Sequence, residues 1–226
     1  MAKLMAARFD LVIFDWDGTL MDSLAQIVRS VKLAAIDLGV PEPTDAAARD
    51  IIGLGLPEAM RILFPQVPEA EREALRQRYA HHFVAGVGGH SQPYDGAEAL
   101  LQQLQGQGRQ LAVATGKSRL GLDRVLAQTG WGGYFSATRC ADETASKPNP
   151  LMLKELLQVL NVPLERAVMI GDTHYDLEMA ERLGMASIGV TYGVHSGERL
   201  LRHAPIPTPP TATTLPIGIP VRLLTN

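Results

Sequence analysis

The chain has 226 residues, one of them cysteine, and carries a net charge of −3 from 21 basic and 24 acidic side chains. At about 150 residues per domain this is one large domain or two unequal ones, with no intramolecular disulfide and so a fit to a reducing compartment. The balanced charge excludes bulk recognition of nucleic acid, no run approaches the roughly 18 apolar residues of a membrane helix, and Met1–Asp10 holds no signal-peptide core, so a cytoplasmic protein without a membrane partner is expected.

Leu11-Val12-Ile13-Phe14 is a short continuous apolar run ending in Asp15. Such a run suits a strand covered on both faces, as in a parallel sheet. The segment from about Asp22 to His90 then shows helical patterns only. Ile27, Val31, Ala34, Ala35 and Leu38 make one apolar face, stopped by Gly39-Val40-Pro41; further helices are predicted over 57–64 and 69–87. Gly86 to Gly89 reads as a joint, with Met21-Asp22 as the other connection. Beyond it, apolar runs at Leu111–Ala114, Ala167–Ile170 and Ala186–Val190 alternate with helical patterns around Leu100–Leu104, Leu122–Leu126, Leu153–Leu160 and Leu177–Leu183. The alternation predicts an α/β fold, a Rossmann-like parallel sheet flanked by helices, with a helical subdomain inserted after the first strand. The expected division is a discontinuous core over 1–20 and 91–203, an insert over 21–90 and a Pro/Thr-rich tail over 204–226. In the tail, Ile217–Leu224 could form a late strand, but Pro220 argues against a central one.

Chemistry gathers at the ends of these strands. Asp15-Trp16-Asp17-Gly18-Thr19-Leu20 follows the first buried run. A bare pair of aspartates is most often a solvated turn. Directly after a buried strand and turned by a glycine, the pair instead faces the crevice where open α/β sheets bind ligands. Gly171-Asp172-Thr173-His174-Tyr175-Asp176 repeats the pattern. Asp176 suits a helix first turn, whereas Asp172 completes an oxygen-rich set that points to Mg²⁺ over zinc. Thr115-Gly116 ends another strand and offers a hydroxyl and free N–H groups to an anion. Lys147 sits in the Pro-stiffened Lys147-Pro148-Asn149-Pro150, although most lysines are exposed. Thr115-Gly116-Lys117-Ser118 imitates the end of a P-loop, but position 111 is Leu where that motif needs Gly. Gly53-Leu54-Gly55 reads as a turn, His81-His82 as a helix surface and Cys140 as a small buried hydrophobe.

Four motifs in order, Asp15-x-Asp17-Gly-Thr-Leu, Thr115, Lys147-Pro and Gly-Asp172-Thr-x-x-Asp176, resemble the haloacid dehalogenase superfamily, in its phosphoglycolate phosphatase-like subfamily. The resemblance spans roughly residues 8 to 200, and the insert resembles that family's α-helical cap. It implies that Asp15 is a nucleophile forming an aspartyl-phosphate and that Asp17 is the general acid and base. It implies that Thr115, Gly116 and Lys147 hold the phosphoryl oxygens. Mg²⁺ would be ligated by Asp15, the Asp17 main-chain carbonyl and Asp172, with Asp176 orienting Lys147 or a metal-bound water. Two departures stand out: the Pro/Thr-rich tail, and Gly116 where many relatives carry Asn.

The expected function is a Mg²⁺-dependent phosphatase for a small phosphorylated metabolite, of the phosphoglycolate or sugar-phosphate type. It would act as a monomer or weak homodimer. A phosphomutase is the nearest alternative. Asp17 disfavours a dehalogenase, which needs no proton for an alcohol, and the intact set of acidic residues disfavours a non-catalytic binding module.

Overall fold

The computed structural model describes residues 9–86 and 89–202, together with the backbone of 212–214 and 220–222. Strands β1 (Leu11–Phe14), β4 (Gln110–Thr115), β5 (Ala137–Cys140), β6 (Ala167–Gly171) and β7 (Ala186–Gly189) form one parallel sheet in the order β5-β4-β1-β6-β7. The central strand is apolar throughout because both its faces are covered. Val12 and Phe14 pack with Leu101, Leu104 and Leu122 on one face, from helices α5 (Ala97–Gly106) and α6 (Arg119–Thr129). Leu11 and Ile13 pack with Met152, Leu156 and Met179 on the other, from α7 (Leu151–Leu160) and α8 (His174–Leu183). From β1 the chain winds outward through β4 and β5, then crosses to β6 and β7. The winding reverses between β1 and β6, and the crevice at their carboxyl ends is where such sheets place a ligand.

The helices α1 (Leu24–Asp37), α2 (Asp45–Asp50), α3 (Leu56–Leu63) and α4 (Glu69–Val84) lie between β1 and β4 in the chain. They own a separate apolar cluster around Ile27, Val31, Ala35, Ile52, Met60 and Leu75. The two crossings to this insert run side by side as a short antiparallel pair, β2 (Met21–Asp22) against β3 (Gln92–Pro93). Of the expected joint at Gly88–Gly89, Gly88 lies outside the described residues and Gly89 adopts φ 108°. Helix α4 stops three residues short of the predicted 87, ahead of Gly86 at φ 68°. Among the described residues no helix is long and apolar enough to cross a membrane.

β5 and two short helices were among the elements that escaped the sequence pattern. β5 is a half-exposed edge strand, Ala-Thr-Arg-Cys, with no apolar run to announce it. Helix α2 is short and buries Ala48 alone; its signal was Thr44, whose side chain accepts from the Ala47 N–H at 3.1 Å. Helix α9 (Gly197–Leu201) is shorter still. In the tail, β8 (Ala212–Thr214) and β9 (Pro220–Arg222) pair antiparallel as a separate two-stranded sheet, so the late strand is not a central one, in line with Pro220. The rest of 204–226 lies outside the described residues.

Candidate active site

Asp15 extends β1 by one residue, its N–H donating to the Ile170 carbonyl at 2.9 Å. Its carboxylate is sealed from solvent, with one oxygen 2.7 Å from Lys147 Nζ. Burial pushes the Asp15 carboxyl well above its ordinary range; Lys147 opposes this, and the nearby Asp176 and Asp172 charges add to it.

Lys147 is the reverse of an exposed surface lysine. Its side chain is 0% exposed, and Nζ lies 2.7 Å from Asp15 and 2.6 Å from Asp176. Burial alone would lower its affinity for a proton, but the two carboxylates outweigh burial and hold it above the usual lysine value.

Asp172 follows β6 and is likewise buried. One oxygen accepts from Thr19 Oγ1 at 2.9 Å and the other from the Val194 N–H at 2.8 Å. Burial first, then the Asp176 charge, raises its carboxyl to about 7. Backbone walls it on two sides: a Cβ built on Gly18 or Gly193 would stand 2.1 or 2.3 Å from its Oδ2. Asp176 makes two sets of contacts. Its Oδ2 accepts from the Thr173 N–H and hydroxyl at 3.1 and 2.7 Å, closing a capping box on α8, while Oδ1 faces Lys147. Oxygens of Asp15, Asp172 and Asp176 lie within 4.8 Å of one another.

Asp17 lies beyond the end of β1. β1 ends at Phe14, and Trp16 to Met21 fold into a tight loop in which the Trp16 carbonyl accepts from Thr19, Leu20 and Met21. Gly18, at φ 82°, makes that loop possible. The Asp17 carboxylate is not part of the cluster formed by the other three. It accepts from Ser23 Oγ at 2.6 Å and pairs with Lys117 Nζ at 2.9 Å. Asp15 and Asp17 still line one cavity.

Thr115 ends β4, buried, its hydroxyl accepting from the Lys117 N–H at 3.2 Å. Lys117 was visible only as part of a false P-loop; it also lies 4.7 Å from the centre of the Phe83 ring, on the insert. Gly53-Leu54-Gly55, read as a plain turn, is the part of the insert that rests on the core. Gly55 N–H donates to Ser146 Oγ at 2.8 Å. A Cβ on Gly116 would come within 2.4 Å of the Leu54 carbonyl oxygen. Further out, Tyr175 Oη donates to the Asp50 carbonyl at 3.0 Å and Arg199 pairs with the Asp50 carboxylate. His82 bonds Asp37 on the insert's surface, and burial pushes the Cys140 thiol up to about 12, consistent with an inert core residue.

Between insert and core lies a cavity of about 560 Å³, with Asp15, Asp17, Thr115, Gly116 and Lys117 on its core side. A buried carboxylate beside a buried lysine, with hydroxyl and N–H donors alongside, is an arrangement that can deliver a nucleophile to a bound anion.

Comparison with known proteins agrees with this geometry. Residues 12–190 match the family model of haloacid dehalogenase-like hydrolases. The chain is 37% identical to the probable phosphatase IndB of Dickeya dadantii over 84% of each chain. It is 31% identical to a phosphoglycolate phosphatase of Agrobacterium fabrum over 81% of each. A solved structure of a haloacid dehalogenase-like hydrolase from Bacteroides fragilis superposes with a TM-score of 0.79 at 24% identity, covering 86% of this chain and 93% of its own. The strand order, the acidic residues at the ends of β1 and β6, and these matches together make the chain a member of the haloacid dehalogenase-like hydrolases.

Proposed function

We propose that the protein is a Mg²⁺-dependent phosphomonoesterase acting on a small phosphorylated metabolite through an aspartyl-phosphate on Asp15. The observation that carries this reading is Lys147, held without solvent between Asp15, which lines the cavity, and Asp176. A phosphate ester brings negative charge towards a carboxylate, and attack needs that charge neutralised.

In the proposed sequence an Asp15 oxygen attacks phosphorus while the ester oxygen leaves, taking a proton from Asp17. Asp17 then receives a proton from the water that attacks the aspartyl-phosphate, releasing inorganic phosphate and restoring Asp15. Thr115 Oγ1, the Gly116 N–H and Lys147 hold the phosphoryl oxygens, and Asp176 orients Lys147. The acidic set fits a divalent cation. Three buried carboxylates share one lysine, a surplus of negative charge that buried sites do not sustain unaided. Asp15 and Asp172, with the Asp17 carbonyl, would hold the ion, which supplies charge neutralisation at the phosphoryl group when bound. The helical insert over 21–90 acts as a cap on the core formed by 1–20 and 91–203.

The test is phosphate release from p-nitrophenyl phosphate with Mg²⁺, with EDTA, and in Asp15→Asn. Turnover should require Mg²⁺ and fall by several orders of magnitude in Asp15→Asn, with the thermal transition retained. Asp15→Asn keeping above about a tenth of the rate, roughly 1.4 kcal/mol of barrier, defeats the covalent mechanism.

A further inference from the structure

We infer that the substrate is the phosphate monoester of an uncharged alcohol with an apolar body, and not a short phosphorylated carboxylic acid such as phosphoglycolate. The inference rests on the phosphomonoesterase reading and concerns the half of the cavity that would face the leaving group. That half comes from the insert. Ile27 and Val31 of α1, Ile52 and Leu54 of the docking loop, and Tyr79 and Phe83 of α4 form its wall.

Between residues 24 and 84 no Lys, Arg, Asp or Glu lines the cavity; His90, where the insert ends, and Glu98 of α5 line it as well. The polar side chains between 24 and 84 are Gln26 and Tyr79. Gln26 is already engaged: its amide N–H donates to the Phe83 carbonyl at 2.7 Å, and its carbonyl oxygen accepts from the Ser91 N–H and hydroxyl at 2.8 and 2.6 Å. Tyr79 offers a neutral hydroxyl, held protonated far above neutrality by burial and by the charge of Asp17. On the core side, Lys117 is committed to Asp17 at 2.9 Å, and Arg124 lies a turn and a half into α6.

A substrate carboxylate directed at this apolar wall would find no cation on α1, the docking loop or α4, with Asp15 and Asp17 repelling it. Desolvating an unpaired carboxylate is strongly unfavourable. A neutral apolar body gains from the same wall by leaving water, and the tilted Tyr79–Phe83 ring pair, with centroids 5.8 Å apart, offers it aromatic surface. The 560 Å³ enclosed is also of the size that takes a ring-bearing ligand, far beyond a two-carbon acid.

The experiment compares kcat/KM of the full chain with Mg²⁺ on 2-phenylethyl phosphate and on phosphoglycolate, both alkyl esters, with p-nitrophenyl phosphate as control. A preference of roughly 30-fold or more for 2-phenylethyl phosphate is expected, within the 10–200-fold range of apolar pocket discrimination. Leu56→Lys, which puts a cation on a half-exposed position of the wall, should shrink that ratio at least tenfold (a shift of the order of one extra pocket contact). Preference for phosphoglycolate while p-nitrophenyl phosphate is hydrolysed overturns the inference and leaves the phosphatase reading standing. If that preference then disappears in Arg124→Gln, the core-side cation reads the substrate. No turnover of any ester overturns both. A ratio unmoved in folded Leu56→Lys removes the assignment to the insert wall, and if that variant does not fold, the wild-type ratio decides.

Discussion

Asp17 and Asp15 are two residues apart, yet their surroundings differ. Asp15 meets a buried lysine and two further carboxylates, whereas Asp17 meets the hydroxyl of Ser23 and the ammonium of Lys117. In the proposed mechanism the first attacks and the second exchanges protons. Asp17→Asn keeps the shape, the loop and the main-chain carbonyl but cannot deliver a proton. Turnover of an alkyl phosphate should fall at least about 100-fold, the usual scale of general acid catalysis. An aryl phosphate with a stable leaving group should lose under about tenfold. Measuring kcat for both esters decides it, and equal fractional losses would remove the acid role. His195 makes a second prediction at this scale. It is buried, its Nδ1 accepts from the His174 N–H at 3.0 Å, and burial together with Arg199 and His174 lowers its pKa from 6.5 to about 4. The folded state therefore favours the neutral ring. That stabilisation is complete above about pH 6.5 and is lost as pH falls towards 4, because the unfolded chain binds the proton more readily. Between pH 7 and pH 5 it amounts to about 2 kcal/mol. Thermal unfolding at the two pH values should show a larger fall for wild type than for His195→Gln; parallel falls would dismiss the effect.

Among the elements, the four buried strands were legible because each is a run of apolar residues with both faces covered. β1 and β6 supply the ends that carry Asp15 and Asp172, so that part of the site was legible with them. β5 was not, since an edge strand with Thr138 and Arg139 half exposed carries no such run. The loop Gly53-Leu54-Gly55 was read as a turn because its role lies in contacts made across the fold, to Gly116, Ser146 and Thr173, which no local pattern encodes. Lys117 was obscure for the same reason: its partner Asp17 is a hundred positions away. The tightest of these contacts is at Gly116. A Cβ there would meet the carbonyl oxygens of Leu54 at 2.4 Å and Gly53 at 2.5 Å, and backbone cannot swing aside as a side chain can. This gives a structural reason for glycine at this position. Gly116→Ala retains the N–H but should lift the docking loop from the core. The expected result is kcat/KM on a small ester reduced about tenfold or more, about 1.4 kcal/mol, with little change in the thermal transition. Kinetics matching wild type would show that the loop yields without cost.

For the whole molecule, the insert and the sheet hold separate apolar clusters, joined in the chain by the β2–β3 pair. Two bodies with their own cores and a narrow connection can rotate against each other without disturbing either core. In the structure described they are together. The loop from Gly53 to Gly55 rests on the core, Asp50 is tied to Arg199 and Tyr175, and the cavity between them contains Asp15 and Asp17. Closure of this kind excludes water from Asp15 and strengthens each charge contact around it. It also limits what can be hydrolysed. A phosphoserine within a peptide has an alkyl leaving group, chemically close to that of a small alkyl phosphate, but its flanking backbone must pass between insert and core. The closed arrangement cannot form around it. Its kcat/KM should therefore lie at least about 100-fold below that of the small ester, roughly 2.7 kcal/mol. Loosening the tie with Asp50→Ala should narrow the gap by lowering activity on the small ester more than on the peptide, because only the small ester benefits from closure. The measurement is kcat/KM for both substrates in wild type and variant. Peptide and small ester turned over within threefold of each other by the wild type would mean that the insert does not enclose the substrate during catalysis.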